Sequence, residues 1–509
     1  MATEIICIVD TVNPDEWLGD TLYSVGDWCH NDSGKLYICT VEGTSALNGG
    51  PTGTSETITD GSVTWKYYHR DYSSIREAYY GEGGASPKCV TSNNLVANNE
   101  QLTIKCRAST GIADVPSDAI RITGWTVNDN CYVKIMADEG HRHNGIFDTA
   151  KYTITESPND AWTFDLRQTC RFEGLQIALS VVNKMCFSIV ALEANSRIHI
   201  NNCILIHDPT INSNGNRGVH LNWSNTTGTI VYITNCLIYG FSPSWPNPGG
   251  IINNISSSNA VVHAVNNTIV NCGTGILARP WDYYRNNLLI NNPRGDFVKA
   301  NAEDPDPDVD YCISSDGTAL GANSITNVKN IGLFADYTNR DLRPNKIDAI
   351  FVGAGTDVSS YTTQDIKGTS RPQRGSWDIG AFEYAIEETN GRNGSVGFTG
   401  FLSDGTFVRE DQSTTVFVRH GFLVQQAGGE PPATPLLSQF SFRFRKDDGS
   451  ESTATWEAAE NATISLTPNT KIRLRIGIDA TNDPPSKNFQ IEYRHKPSGG
   501  VFSDWEKVT

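Results

Sequence analysis

The densest run of ionisable side chains in the sequence is Asp138-Glu139-Gly140-His141-Arg142-His143. Two carboxylates and two imidazoles could carry proton transfer, and glycoside hydrolysis needs two acids roughly 5–10 Å apart. Adjacent residues on a strand face opposite ways, which weakens Asp138 and Glu139 as a pair. Asp138, Glu139, His141 and His143 are the catalytic candidates, but a hydrogen-bonded loop is the expectation. In Asp304-Pro305-Asp306-Pro307-Asp308-Val309-Asp310 four carboxylates alternate with other residues, a set of oxygens that could hold calcium. Proline keeps the run extended and the glycine turn of an EF-type loop is missing, so a solvated loop without metal is expected. His199, His207 and His220 lie on or beside strand-like runs and read as satisfied structural groups. There is no GxSxG elbow, P-loop, HExxH or dinucleotide fingerprint, and no cofactor is expected.

Aromatic residues offer binding chemistry instead. Trp17, Tyr23, Trp28, Tyr37, Trp65 and Tyr67, with Tyr68 beside them, crowd the N-terminal stretch. Sugar faces stack on such rings, and neighbouring Asp or Asn side chains would fix hydroxyls. The same rings could equally form the core of a domain too small to close otherwise, or dock onto another protein. Trp223, Trp245, Trp281, Tyr283 and Tyr284 form a second set that could line an outer groove. Trp245 sits in a Pro/Asn-rich loop, where recognition residues commonly lie.

These side chains must be positioned by strands. The chain has 509 residues, too many for one ordinary core, so two to four structural units are expected. Apolar residues make up only 38% and Gly, Asn, Ser and Thr abound, which favours short strands and turns over long helices. The formal charge of −17 repels phosphate backbones and excludes nucleic acid as a natural partner. No membrane-length apolar stretch occurs, and the start lacks the basic and apolar regions of a secretory signal, so synthesis in a cytoplasm is expected. The 12 cysteines show no metal-ligand spacing, and Cys203 and Cys236, at matching places in two repeats, read as small buried hydrophobes. Cys29 and Cys39 could bridge neighbouring strands, although free thiols are expected of a cytoplasmic product.

Residues 1–70 hold alternating apolar residues bounded by Gly, Asn-Asp and Asp-Gly turns, the pattern of a small antiparallel β module. Residues 71–388 hold many strand-length runs, and Asn recurs at 202, 235, 267 and 287 in a repeated Asn-plus-apolar motif. A solenoid explains this, because each coil buries its inward residues only against the coils above and below. Asn tolerates the left-handed corner between strands, and stacked Asn amides can ladder. After Glu387-Glu388-Thr389-Asn390-Gly391 a polar linker leads into residues 395–509, whose alternating strands read as a β-sandwich.

The closing stretch DIKGTSRPQRGSWDIGAFEY, Asp365 to Tyr384, resembles the last coil of right-handed parallel β-helix proteins abundant in phage particles and on bacterial surfaces. Gly124-Trp125-Thr126, Arg142-His143-Asn144-Gly145 and Asp148 to Tyr152 are similar to early coils of phage-encoded members. The N-terminal landmarks resemble small chitin- or carbohydrate-binding-like modules of phage tail and fibre proteins. Arg473-Leu474-Arg475 to Asp479-Ala480-Thr481 resembles a terminal domain of some virion proteins. The resemblance implies an all-β protein: N-terminal module, right-handed parallel β-helix, C-terminal β-sandwich. It further implies a structural virion protein of tail, fibre or spike type, assembled in the host cytoplasm. Expected partners are other virion proteins, host-surface glycan and further copies in a homotrimer. A polysaccharide depolymerase on the same scaffold and a bacterial surface adhesin are the alternatives.

Overall fold

The computed structural model describes residues 2–81, 89–191, 193–207, 215–224, 227–241, 249–329, 333–337, 339–345, 349–373 and 375–384 of the larger part of the chain, and residues 423–425, 436–446, 455–456, 472–481, 492–493 and 506–507 beyond it. The chain divides into two compact units, Met1–Ala385 and Ile386–Thr509. Among the described residues helix is confined to two short segments, Ile75–Tyr80 and Leu95–Asn98. None is long and apolar enough to cross a membrane.

The first unit is built on three parallel sheets. A nine-stranded sheet runs from Thr3–Asp10 and Glu100–Arg107 through Val133–Ala137, Cys170–Glu173, Arg197–Asn201, Thr229–Thr234, Ala260–Val265 and Tyr283–Arg285 to Asp308–Asp310. One seven-stranded sheet runs from Thr153–Thr155 to Ile313–Ser314, and another from Ile120–Ile122 to Phe297–Lys299. From Val133 to Ser314 the chain visits the three sheets in strict rotation, so each strand pairs with the strand one circuit earlier or later, while Phe334–Asp336 and Asp341–Pro344 pair antiparallel with each other.

Register explains the burial. In the nine-stranded sheet Cys7, Ile104, Ile135, Phe172, Ile200, Ile233, Ala264, Tyr284 and Val309 stand opposite one another, and all are buried. Side chains alternate across a strand, so residues one step away face outward. Phe164, Phe172 and Phe187 pack within the same core, with ring centroids 4.9 Å and 5.3 Å apart.

The corners between the nine-stranded sheet and the first seven-stranded sheet need left-handed backbone. Asn202, Asn235, Asn266, Asn286 and Tyr311 supply it, with φ between 51° and 56°. Asn enters this region more readily than other residues that carry a Cβ. The aligned strands therefore place Asn266 and Asn286 at the bend, one residue before the Asn267 and Asn287 of the expected repeat. Asn267 and Asn287 share instead the inward position of Cys203, Cys236 and Cys312.

The Asp365–Tyr384 stretch does not add a coil at the end of the stack. It runs back across the outer face of the first seven-stranded sheet: Gly380 N donates to Asn286 O at 2.8 Å and Ala381 N to Thr268 Oγ1 at 2.9 Å. Asn235 Nδ2 donates to Gln364 O at 2.7 Å and Arg142 Nη2 to Ile366 O at 3.0 Å. The cause is the apolar outer face of those strands. Ile204, Ile206, Leu237, Tyr239, Val270, Leu288 and Ile290 would be wet without Ile366, Ile379, Ala381 and Phe382 over them. Gly380 must be glycine: its φ is +102°, and a Cβ there would stand 2.8 Å from Thr268 Oγ1.

Thr3–Asp10 pairs with Glu100–Arg107 and belongs to the long sheet. The small antiparallel sheet follows it, with Trp28–Asn31, Lys35–Val41, Val63–Tyr68 and Ile58–Asp60 in spatial order. Cys7 and Cys89 form a disulfide, a pairing that the sequence reading did not raise. The remaining cysteines, Cys29 and Cys39 included, are free and buried. In the second unit Leu423–Gln425, Leu436–Lys446 and Ile472–Thr481 form an antiparallel sheet, and Glu492–Tyr493 pairs with Glu506–Lys507. Most of the expected sandwich over 395–509 lies outside the described residues.

Candidate functional site

The outward positions of the nine-stranded sheet carry a column of rings. Register sets Lys134 beside Arg171, Arg171 beside His199, His199 beside Tyr232, Tyr232 beside His263, and His263 beside Tyr283. His199 and Tyr232 stack at 4.4 Å with planes 16° apart, and His263 meets Tyr232 edge-on at 5.4 Å. Adjacent strands hold like positions about 4.8 Å apart, which is why the rings touch.

One wall comes from elsewhere. The segment returning over the first seven-stranded sheet carries Tyr361, whose ring stacks on Tyr283 at 5.7 Å and whose hydroxyl lies 3.0 Å from His263 Nδ1. The segment is pinned there by Asn286, whose Nδ2 donates to Thr356 O at 2.8 Å, and by Asn235, whose Nδ2 donates to Thr362 Oγ1 at 3.0 Å. Between wall and sheet lies a cleft of about 370 Å³, lined by His199, Asn201, Tyr232, Thr234, His263, Ser360 and Tyr361.

The cleft carries no charge of its own at neutral pH. Burial, then the Arg171 and Arg197 guanidiniums, push the His199 imidazole down to about 4. Burial and then Arg197 lower His263. Burial raises the Tyr361 phenol to about 12. Neutral imidazoles, phenols, amide and hydroxyls give both donors and acceptors on aromatic walls, the combination that holds a polyhydroxylated ligand.

The sequence-derived catalytic candidates do not converge on a cleft. Asp138 is paired with Arg107 at 2.7 Å and Lys105 at 3.7 Å. His141 Nδ1 accepts from Ala108 N at 3.3 Å, and Glu139 is exposed. His143 is buried, with Nε2 2.9 Å from Asn202 O and Nδ1 accepting from Gly145 N at 3.1 Å. Burial pushes its pKa down to about 3, so it stays neutral and structural.

Asp304, Asp306 and Asp308 face separate cations, Arg279, Lys299 and Arg285, while Asp310 accepts from Asn323. They offer no shared centre for a metal. Among the described residues the one close set of metal-type ligands is Cys7, Asp71 and Cys89. Its two sulfurs are bonded to each other, which removes them as ligands.

In the N-terminal module Tyr37 and Trp65 are fully buried and Tyr23 nearly so. They form the core of the small sheet, with Trp17 and Tyr67 packed against it, so Tyr23, Tyr37 and Trp65 present no face to a sugar. Trp17 Nε1 and Trp65 Nε1 both donate to Asp60 Oδ2, at 2.8 Å and 3.1 Å. Trp28 is half-buried, edge-on to Tyr68 at 4.8 Å. Of the second aromatic set, Tyr283 joins the column and Tyr284 points into the core. Trp245 lies outside the described residues, as does the side chain of Trp223.

His263 and Tyr361 were not among the residues singled out from the sequence, and His199 was read as structural. Strand alternation marks His199, Tyr232 and His263 as outward at like positions, a signal visible once the repeats are aligned. Tyr361 carries no such signal. Comparison of the chain with protein families, curated proteins and solved structures finds no match.

Proposed function

We propose that the chain is a glycan-binding attachment protein whose 71–388 region winds as a right-handed parallel β-helix. The strict rotation through three parallel sheets supports the winding. The observation that carries the binding role is the cleft under Tyr361, where neutral donors and acceptors line aromatic walls on a rigid sheet face. The sequence resemblance supplies the setting: a tail, fibre or spike component of a phage particle, mounted among other virion proteins, with a homotrimer as the natural assembly. The decisive experiment measures binding to a panel of bacterial surface polysaccharides. Tyr361→Ala lowers binding at least tenfold if the cleft is the site, and unchanged binding overturns it. Mass spectrometry of intact particles tests the virion setting; absence of the chain from them rejects it.

One observation favours a second reading, depolymerisation. The His263 imidazole and the Tyr361 phenol face each other at 3.0 Å, both neutral, a pair able to pass a proton. New reducing ends or unsaturated uronate absorbance after incubation with polysaccharide, lost in His263→Ala, would establish it.

A further inference from the structure

We propose that the ligand of the Tyr361 cleft is an anionic polysaccharide, its carboxylate, sulfate or phosphate groups lying over Lys134, Arg171 and Arg197 while its sugar rings occupy the cleft. This rests on reading the cleft as a glycan site.

Three observations carry it. First, register makes the cations an extension of the ring column: Lys134 and Arg171 are the next two outward positions beyond His199, and Arg197 lies two residues before His199 on the same strand. A polymer lying along the column passes from rings to cations without leaving the sheet face.

Second, these cations lack the acidic partners that other arginines of the first unit have. Arg107 is bridged to Asp138, Arg142 to Glu173 and Arg285 to Asp308. Among the described residues, Lys134, Arg171 and Arg197 have no carboxylate within ion-pair distance. In a chain with 57 acidic and 40 basic residues, three adjacent unpaired cations mark a local reversal of sign.

Third, the two guanidiniums are held in place by neutral groups. Arg171 lies over the Tyr132 ring at 3.9 Å and donates through Nη2 to Asp129 O at 3.1 Å, while its buried Nε has no partner. Arg197 Nη1 donates to the carbonyls of Asn195 and Ser196 at 3.0 and 3.1 Å, and to that of Gly228. Aromatic and carbonyl contacts orient a guanidinium and leave its charge uncompensated. An anion that reaches it gains charge-assisted hydrogen bonds without displacing a resident carboxylate.

The test uses the full chain against bacterial polysaccharides of two kinds, one bearing uronate, sulfate or phosphate groups and one uncharged. The expected result is binding confined to the charged kind and weakening as salt is raised. Arg171→Gln and Arg197→Gln each lower that affinity roughly tenfold, the loss of one charge-assisted contact. Arg197→Lys, which keeps the charge, retains most of it. Thermal unfolding of each variant separates loss of binding from loss of fold. Binding that favours uncharged polysaccharides, or that is unchanged in both Gln variants, overturns the charge inference and leaves the cleft standing. No binding to either kind rejects the glycan site, and this inference falls with it.

Discussion

Asn267 and Asn287 occupy the same inward corner position on successive circuits of the chain, and their amides are joined. Asn267 Nδ2 and Asn267 N both donate to Asn287 Oδ1 at 3.0 Å. Asn267 Oδ1 accepts from Cys236 N at 2.9 Å, and Asn287 Nδ2 donates to Ala264 O at 2.7 Å. Both side chains are fully buried. The pair thus satisfies backbone groups that the bend between two sheets strips of ladder partners.

Asn267→Ala is expected to destabilise the first unit by about 1–3 kcal/mol, since it leaves buried backbone groups unpaired. The shift of the chemical-denaturation midpoint measures it. A change within error would mean that the corner relaxes to find other partners.

Arg371 holds the returning segment together. Its guanidinium is buried, 3.3 Å from Glu383 Oε2, and donates to the carbonyls of Asp378 at 3.0 Å and Gly380 at 2.7 Å. Arg371→Met strands the Glu383 carboxylate and should cost about 3–5 kcal/mol. Limited proteolysis would then cut within 349–384, and ligand binding would fall with the Tyr361 wall. Wild-type protease resistance in the variant would sink this account.

Ring substitutions separate the two candidate sugar sites. Trp28→Ala, in the N-terminal module, should leave polysaccharide affinity within about twofold, whereas Tyr232→Ala, in the cleft, should lower it at least roughly tenfold. Trp65→Ala should cost about 3–5 kcal/mol of stability through the cavity it leaves. The reverse ranking of Trp28 and Tyr232 would relocate the site to the module.

The buried imidazole of His143 makes stability sensitive to acid. Its folded pKa is pushed down to about 3, by burial and then by Arg142, from an ordinary 6.5. Between those values the unfolded chain binds a proton that the folded chain refuses. The contribution is therefore fully present above about pH 6.5 and is lost as pH falls toward 3. His220, held down to about 3 by burial and Arg217, acts with the same sign. The thermal midpoint should drop between pH 7 and pH 4, with a shallower slope in His143→Gln. An equal slope in the variant would assign the acid sensitivity to other groups.

The all-β character, the strand-length runs and the Asn corners were legible in the residues, because alternation and left-handed backbone are local requirements. Asn-Asn at 266–267 and 286–287 showed where the chain turns but not which Asn of each pair bends. Either Asn of a pair tolerates the bend, and only strand register assigns Asn266 and Asn286 to it. The Cys7–Cys89 bond joins residues 82 apart, a separation no spacing rule reaches.

The amino-acid sequence determined by itself that short strands would alternate inward apolar with outward polar residues, since that pattern is a property of neighbouring positions. Only the tertiary structure decided that His199, Tyr232 and His263, each a circuit apart, would meet beneath Tyr361. Stacking converts distant positions into adjacent ones, and an exposed apolar sheet face draws the closing segment back across it. The hydrophobic demand of that face, rather than any residue of the cleft, places the wall.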